Sequence, residues 1–348
     1  MILEKEKTYF KGLNGLRAIA ALGVVISHVA SIQTYFHHYA VIIFFTLSGF
    51  LITYLLLAEK DRTATIDLKK FYARRILRIW PLYFFYILLV FFIHTYIIGD
   101  RVINADYLGY FLVFFQNIPI TYLRKSPTDM SHLWSIGIEE QFYLFWPLVL
   151  TFIKNKKRFL IIFIIAALII QAIVKVYTIK TGDISLFYFL SSFRFDCMAI
   201  GALFATLYFE KNTILLHQTN SMWIPIAFWI SVLFASIYKF NLFPIYSDEI
   251  GSLITAAFIV NQVTNTKKRS VLENKPMIFI GKISYGIYIY HILMCSLLLH
   301  IFKIYGIHPY FKLLIPAVLI LTILVSYLSY ELLEKPFLKI KAKYAVVR

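Results

Sequence analysis

The chain has 348 residues, of which 60% are hydrophobic and only 15% are charged, compared with about 25% charged residues in an average soluble domain. Its mean hydropathy is +0.73. These values exclude a soluble enzyme and a disordered chain, and they indicate a protein embedded in a lipid bilayer.

The net charge of +17, from 35 Lys and Arg against 18 Asp and Glu, has two interpretations. In a soluble protein it would indicate nucleic-acid binding, whereas in a membrane protein basic residues collect in the cytoplasmic loops. The hydrophobic composition favours the second interpretation. The two cysteines, Cys197 and Cys295, lie in apolar segments and predict neither a disulfide framework nor a cysteine metal site.

Ten segments are apolar over the ~20 residues that a helix needs to cross a bilayer. They cover residues 13–33, 40–58, 79–98, 134–153, 159–179, 189–209, 222–238, 248–264, 279–301 and 311–332. An eleventh segment, 107–118, is too short and stops at Pro119, so it is predicted to be interfacial or re-entrant. No cleavable signal peptide is evident. The predicted fold is therefore all-α, a polytopic membrane protein with about ten transmembrane helices.

The basic residues predict the orientation. With ten spans and a cytoplasmic N-terminus, 26 of the 35 Lys and Arg residues lie on or near the cytoplasmic side, as the positive-inside rule requires. If 107–118 were a full span, the basic cluster at 154–158 would fall on the opposite side. We therefore predict both termini in the cytoplasm and a single membrane domain, 1–348, with short tails at 1–11 and 335–348.

Charged residues inside a span are candidates for function, because each costs at least about 2.5–3.5 kcal/mol at the helix centre. Arg17 and His28 lie eleven residues apart in the first span. That spacing is about three turns, so both lie on one helix face, separated by about 16 Å along the axis. The small residues between them, including Ala20 and Ala21, suit either helix packing or the wall of a narrow channel.

Arg75 and Arg78 follow the second span and share a helix face at i,i+3. They belong to a basic stretch that positive-inside topology alone would explain. Two guanidinium groups on one face also suit a phosphate-bearing ligand, such as a soluble nucleotide-like molecule or a lipid headgroup.

Glu139 and Glu140 are adjacent carboxylates in the fourth span, where snorkelling to one interface cannot explain both. Ser135 shares a face with Glu139 at i,i+4, while Glu140 points about 100° away. The two carboxylates could pair with arginines from other helices, could hold a histidine, or could be structural.

Most polar residues in the later spans are more typical of structure than of chemistry. Arg194 is the exception, because an arginine inside a span needs a partner, and Glu139 or Glu140 is available. No zinc-binding spacing and no phosphate-binding glycine loop occurs in the sequence, so no metal site is predicted. The other polar residues of these spans are Asp196, Ser284, Tyr285, Tyr288, His291, Glu331 and Glu334. The histidines that receive no role are His37, His38, His94, His217, His300 and His308.

Three motifs occur in chain order. They are the Arg-x10-His pattern from Arg17 to His28, the Arg-x-x-Arg pattern at Arg75 and Arg78, and the Trp-Ser-x-x-x-Glu-Glu-x-Phe-Tyr pattern from Trp134 to Tyr143. With these motifs the chain resembles the acyltransferase family 3 of membrane proteins, which includes bacterial O-acetyltransferases of surface polysaccharides. The resemblance runs over nearly the whole chain, from about Gly12 to Phe337.

The resemblance implies an acyltransferase of the bacterial cytoplasmic membrane. Such an enzyme takes an acyl group, usually acetyl, from cytoplasmic acyl-CoA and delivers it to a hydroxyl of a saccharide on the far side. It implies that His28 is the catalytic histidine and that Arg17, Arg75 and Arg78 bind acyl-CoA, a donor substrate rather than a resident cofactor. The chain ends about eleven residues after Phe337, so we expect a stand-alone member without the extra esterase-like domain of some family members. Such a stand-alone enzyme would complete the transfer itself or hand the acyl group to a partner protein.

The residues can support such a mechanism. The acyl-CoA arm would thread along the first helix to His28, which would act as general base on the acceptor hydroxyl or accept the acyl group itself. Glu139 or Glu140 would orient the imidazole. The residues expected to support the substrate or the structure are Ser135, Arg194, Tyr285 and His291. A transporter or flippase of a glycan or lipid precursor is the alternative, because many spans with buried charges are equally expected there, and a structural subunit is a third possibility.

Overall fold

The computed structural model describes residues 10–30, 35–98, 105–122, 128–183, 185–237, 246–265, 271–307 and 311–344. Throughout these ranges the regular structure is helical and no strand occurs, as the all-α prediction requires. The helices are α1 (Leu13–Val29), α2 (Phe36–Thr63), α3 (Leu68–Ile93), α4 (Ala105–Leu112), α5 (Trp134–Phe152), α6 (Lys156–Thr181), α7 (Ser185–Ser192), α8 (Phe195–Phe209), α9 (Thr213–Thr219), α10 (Trp223–Ile237), α11 (Ser247–Thr264), α12 (Lys275–Lys282), α13 (Ser284–Ile304), α14 (Phe311–Ser329) and α15 (Lys335–Lys341).

Short turns of tighter or wider helix link several of these elements. The π-helical turns are His94–Ile98, Ile118–Tyr122 and Tyr330–Glu334, and the 3-10 turns are Thr128–Leu133, Val271–Glu273 and Ala342–Tyr344. The segment 107–118 contains most of the eight-residue α4, and the backbone then turns at Phe114 with φ of 62°. It is too short to span a bilayer as a helix.

Each of the ten predicted segments is helical over most of its length, although 189–209 includes the end of α7 as well as α8, and 279–301 includes the end of α12 as well as most of α13. Within the described ranges, five helical stretches are long and apolar enough to cross a membrane: Phe36–Thr63, Leu68–Ile98, Lys156–Thr181, Ser284–Ile304 and Lys312–Tyr344. The pair α9 and α10, bent by 61° at their break, would make a sixth, whereas α1 and α8 are shorter apolar helices. These helices identify a membrane protein, while the count of ten spans and the side of each terminus stay predictions.

Polar side chains mark where four of the helices begin. Asp67, Asn155, Asn212 and Asn274 precede α3, α6, α9 and α12, and each accepts a hydrogen bond from a backbone N–H in the first helical turn. Such caps satisfy donors that have no partner within the helix. The sequence therefore fixes where these helices start.

Helix α2 is the centre of the fold and packs against α1, α8 and α11. Gly49 of α2 and Gly201 of α8 allow the closest approach, because a Cβ at either position would lie about 2 Å from a carbonyl oxygen of the facing helix. Close approach at small residues is typical of helix packing in membranes. On α6, in contrast, Ile162, Ile169 and Ile173 are each more than half exposed, as expected of a face that contacts lipid.

Candidate active site

Three arginines from two helices lie around one cavity and form what we call the arginine cluster: Arg17 of α1 and Arg75 and Arg78 of α3. Among the described residues none of them forms an ion pair. Arg17 reaches only the side-chain oxygen of Asn14, at 3.5 Å. The sequence predicted these three residues as one anion-binding group, and the structure brings them together.

Arg75 illustrates how these guanidinium groups are held. Its guanidinium lies over the rings of Phe71 and Tyr143, at 5.6 and 5.1 Å from the ring centroids, so aromatic faces stabilise the charge. Its Nε is buried and has no hydrogen-bond partner. A buried donor without a partner is costly, so this group is suited to bind an anionic ligand.

Lys341 adds a fourth cation that sequence reasoning had counted only as part of the cytoplasmic tail. It lies on α15, which packs on α3, and it interacts electrostatically with all three members of the arginine cluster. Just beyond it, the backbone oxygen of Tyr344 accepts a hydrogen bond of 2.8 Å from Arg74. The end of the described chain is thus attached beside the arginines.

The neighbouring Arg74 is arranged differently from Arg75. It forms an ion pair with the buried Glu59, with 2.7 Å between Nη2 and Oε2. Its remaining contact is the Tyr344 carbonyl. Arg74 is therefore satisfied within the protein, and it joins α2, α3 and the chain end.

The cavity beside the arginine cluster has a volume of about 140 Å³. It lies between α1, α2, α3, α5 and α13, and apolar side chains of α2 form much of its wall. From Ser135 to Tyr143 on α5 the lining extends for about 12 Å along the helix. The polar residues that line it are Arg17, Ser48, Arg75, Arg78, Ser135, Glu139, Tyr143, Ser284, Tyr285 and Tyr288.

The hydrogen bonds of the two glutamates join them to side chains of α2, α3 and α5 and not to His28. Glu139 accepts hydrogen bonds from Ser48 at 2.8 Å and from Tyr143 at 3.2 Å. Glu140 accepts one from the indole N–H of Trp80 at 2.9 Å, and its Oε1 is buried without a partner. The prediction that Glu139 or Glu140 orients His28 is therefore wrong, because α5 directs these carboxylates toward α2 and α3.

Three imidazoles from different elements form what we call the histidine cluster: His28 of α1, His132 of the turn before α5 and His291 of α13. The ring centroids of His28 and His291 are 5.0 Å apart, and those of His132 and His291 are 4.9 Å apart. His28 is exposed, whereas His291 is completely buried. The sequence singled out His28 and His291 but missed His132, because their contacts join positions far apart in the chain.

Tyr288 lies between the cavity and the histidine cluster. Its hydroxyl is 2.6 Å from the hydroxyl of Ser135 and donates to the backbone oxygen of His132 at 2.9 Å. Its ring contacts the rings of His132 and His291. Tyr288 and Ser135 thus connect the arginine side of the site to the histidine side.

Tyr285, one turn before Tyr288 on α13, lines the cavity and has a structural contact. Its hydroxyl donates to the backbone oxygen of Ile79 at 2.9 Å. Since Ile79 directly follows Arg78, this bond fixes α13 against the part of α3 that carries the arginines. Tyr285 thus has a structural contact, while a role toward the substrate stays a prediction.

Arg194 does not lie inside a helix and does not contact the glutamates of α5. It precedes α8 with φ of 47°, and it forms an ion pair with Asp248 of α11. His38 bonds to the same carboxylate at 2.9 Å. The prediction that Arg194 needs an acidic partner is confirmed, but the predicted partner was wrong, because α8 begins beside α11 and not beside α5.

Further polar residues extend this second group, which we call the Arg194 cluster. Gln171 of α6 donates to Asp196 at 2.5 Å and to Glu249 at 2.8 Å. The members of the cluster are His38, Gln171, Arg194, Asp196, Asp248 and Glu249. None of them lines the cavity beside the arginines, so the Arg194 cluster is a separate group.

Comparison with known proteins gives a family match and two similar relatives. The family model described as "Acyltransferase domain" matches residues 10–331. "Putative O-acetyltransferase SACOL0978" from Staphylococcus aureus (strain COL) is 31% identical over 96% of this chain. O-acetyltransferase OatA from Staphylococcus aureus (strain NCTC 8325 / PS 47) is 30% identical over 95% of it. The chain spans only 58% and 57% of the length of these two relatives. No solved structure matches the chain.

Proposed function

The chain belongs to the acyltransferase family whose domain model matches residues 10–331, and we propose that it is a multi-pass membrane O-acetyltransferase. In this proposal it transfers an acetyl group from acyl-CoA to a hydroxyl of a saccharide. One observation carries the proposal: arginines without an ion pair among the described residues line a cavity together with Ser135 and Tyr288, and the ring of Tyr288 contacts His291, the neighbour of the exposed His28. This arrangement suits an anionic donor with a long arm and a base at its far end.

The donor would bind at the arginine cluster. CoA carries several phosphate charges, and guanidinium groups bind phosphates through paired hydrogen bonds. Arg75 and Arg78 would hold the nucleotide part, with Arg17 on the facing helix, because none of the three has an acidic partner among the described residues. The pantetheine arm would then enter the cavity and reach toward Ser135 and Tyr288.

A topology with ten transmembrane helices and both termini in the cytoplasm of a bacterial cell fits a donor that enters from the arginine cluster. The arginine cluster would then face the cytoplasm, where acyl-CoA is found, and His28 would face the outer side about 16 Å away along α1. Its exposure gives a saccharide access to the imidazole. A partner protein could accept the acetyl group in place of a free saccharide.

His28 would act as general base in the transfer. As the acceptor oxygen attacks the thioester carbonyl, its proton passes to His28 Nε2, the C–O bond forms and the C–S bond breaks. The proton on His28 then passes to the departing sulfur and gives CoA thiol. A base within hydrogen-bond reach typically contributes about 10²–10⁴-fold to such a step.

The proposal is tested with purified protein in liposomes and acetyl-CoA labelled in the acetyl group. Wild-type protein should release CoA and label a saccharide acceptor, and His28→Ala should reduce transfer by at least about 100-fold while the protein stays folded. A flippase or a structural subunit would not release CoA from acetyl-CoA. If wild-type protein releases no CoA and leaves the acceptor unlabelled, the proposal is contradicted. Full transfer by His28→Ala would contradict the role of His28.

A further inference from the structure

The histidine cluster contains a hydrogen-bond chain that ends at the backbone. His291 Nδ1 lies 2.6 Å from the backbone oxygen of Tyr288. A carbonyl oxygen can only accept, so His291 Nδ1 must carry a hydrogen. In a neutral imidazole the other nitrogen, Nε2, is then without a hydrogen and can only accept.

The same reasoning applies to His28. Its Nδ1 lies 2.9 Å from the backbone oxygen of Val24 and 3.3 Å from His291 Nε2. Both neighbours are acceptors, so His28 Nδ1 must carry the hydrogen, which it shares between them. The opposite assignment, with a hydrogen on His291 Nε2, would direct the lone pair of His28 Nδ1 at the Val24 oxygen 2.9 Å away, which is repulsive. The only consistent pattern leaves His28 Nε2 unprotonated.

The surroundings of His291 keep its ring in this orientation. His291 is completely buried and contacts the rings of Tyr288 and His132. His132 does not compete for His291 Nε2, because its own Nε2 donates to the backbone oxygen of Ile289 at 3.0 Å. Each imidazole of the cluster therefore directs one N–H to a backbone carbonyl, and His291 Nε2 remains available to His28.

We infer that His291 is a positioning residue that holds His28 in the tautomer whose Nε2 is the free base. This inference rests on the proposed function, in which His28 takes the proton of the acceptor hydroxyl. In hydrolase triads a carboxylate accepts the Nδ1 hydrogen of the catalytic histidine and fixes its tautomer. Here a second, buried imidazole takes the place of that carboxylate, and the two glutamates of α5 are not needed for it.

A pair of substitutions separates positioning from packing. His291→Leu removes the acceptor, and His291→Gln can return a carbonyl oxygen to a similar place. We expect His291→Leu to lower kcat by about 10- to 100-fold, the usual cost of losing an orienting partner, with an unchanged KM for acetyl-CoA. His291→Gln should recover most of kcat, and His300→Leu on the same helix should resemble wild type. If the Leu and Gln variants are equally slow, or if the Leu variant transfers at the wild-type rate, the inference is wrong.

Nitrogen NMR of ¹⁵N-histidine-labelled protein tests the tautomer in the wild type itself, without a change at His291. The His28 signals are assigned by their loss in His28→Gln. We expect neutral His28 with a protonated Nδ1 and an unprotonated Nε2. A protonated Nε2 in neutral His28 would overturn the inference. Failure of the proposed function has a different signature, which is wild-type protein with this tautomer and no transfer from acetyl-CoA.

Discussion

The arginine cluster and the Arg194 cluster hold the same kind of side chain in opposite circumstances. Arg194 has Asp248 as its ion-pair partner, and His38 and nearby carboxylates surround it. Arg17, Arg75 and Arg78 have no ion pair within the described ranges, although they line a cavity. Buried charge in a folded protein is normally paired. The difference indicates that the Arg194 cluster stabilises the fold and that the arginine cluster is kept for a charged ligand.

The largest effect expected from this comparison is on stability. Asp248→Asn leaves the Arg194 guanidinium without its partner, and breaking a buried pair in this way destabilises a protein by about 3–5 kcal/mol. We expect a clearly lower thermal midpoint in detergent, and an unchanged KM for acetyl-CoA in the protein that stays folded. Glu210→Gln, an exposed change after α8, serves as the control. A higher KM with a wild-type midpoint would place the Arg194 cluster in the donor site.

Substitutions in the arginine cluster should have the reverse pattern. Arg75→Ala or Arg78→Ala each removes charged hydrogen bonds to the donor, which are worth about 1.5–3 kcal/mol. We therefore expect the KM for acetyl-CoA to rise by roughly 10- to 100-fold with a thermal midpoint close to that of wild type. Lys69→Ala, an exposed change on the same helix, controls for loss of positive charge. An equal rise in Lys69→Ala would mean that general charge, and not this cluster, attracts the donor.

The smallest effect is expected at Lys341. Its ammonium group adds positive charge to the arginine cluster but cannot form the paired hydrogen bonds of a planar guanidinium. Lys341→Gln should therefore raise the KM for acetyl-CoA only about two- to fivefold. Lys343→Gln, two residues further on and exposed, should leave KM unchanged. Equal values for the two variants would remove Lys341 from the donor site.

The sequence was sufficient for features that depend on local patterns. Hydrophobic stretches predicted the helices, and the i,i+3 spacing of Arg75 and Arg78 predicted that they point together. The spacing of Arg17 and His28 likewise placed them at opposite ends of one face of α1. These relations follow from helix geometry and need no knowledge of the neighbouring helices.

Relations between helices could not be predicted in the same way. Arg74 and Arg75 are identical and adjacent, yet only the first meets Glu59, because that depends on how α3 packs beside α2. The predicted partner of Arg194 and the predicted contact of Glu139 with His28 were wrong for the same reason. A charged residue in a span needs a partner, but the sequence contains several carboxylates. The local sequence does not determine which of them lies beside the charged residue in the fold.

The most direct test of the account is the affinity of the protein for CoA, measured by calorimetry in nanodiscs. We compare wild type with the Arg75→Ala, Arg78→Ala double variant and with Lys69→Ala. If the arginine cluster is the donor site, the double variant binds CoA at least about 100-fold more weakly, since two charged contacts are lost, while Lys69→Ala binds like wild type. Equal affinity in all three proteins would contradict the claim that the unpaired arginines form the donor site.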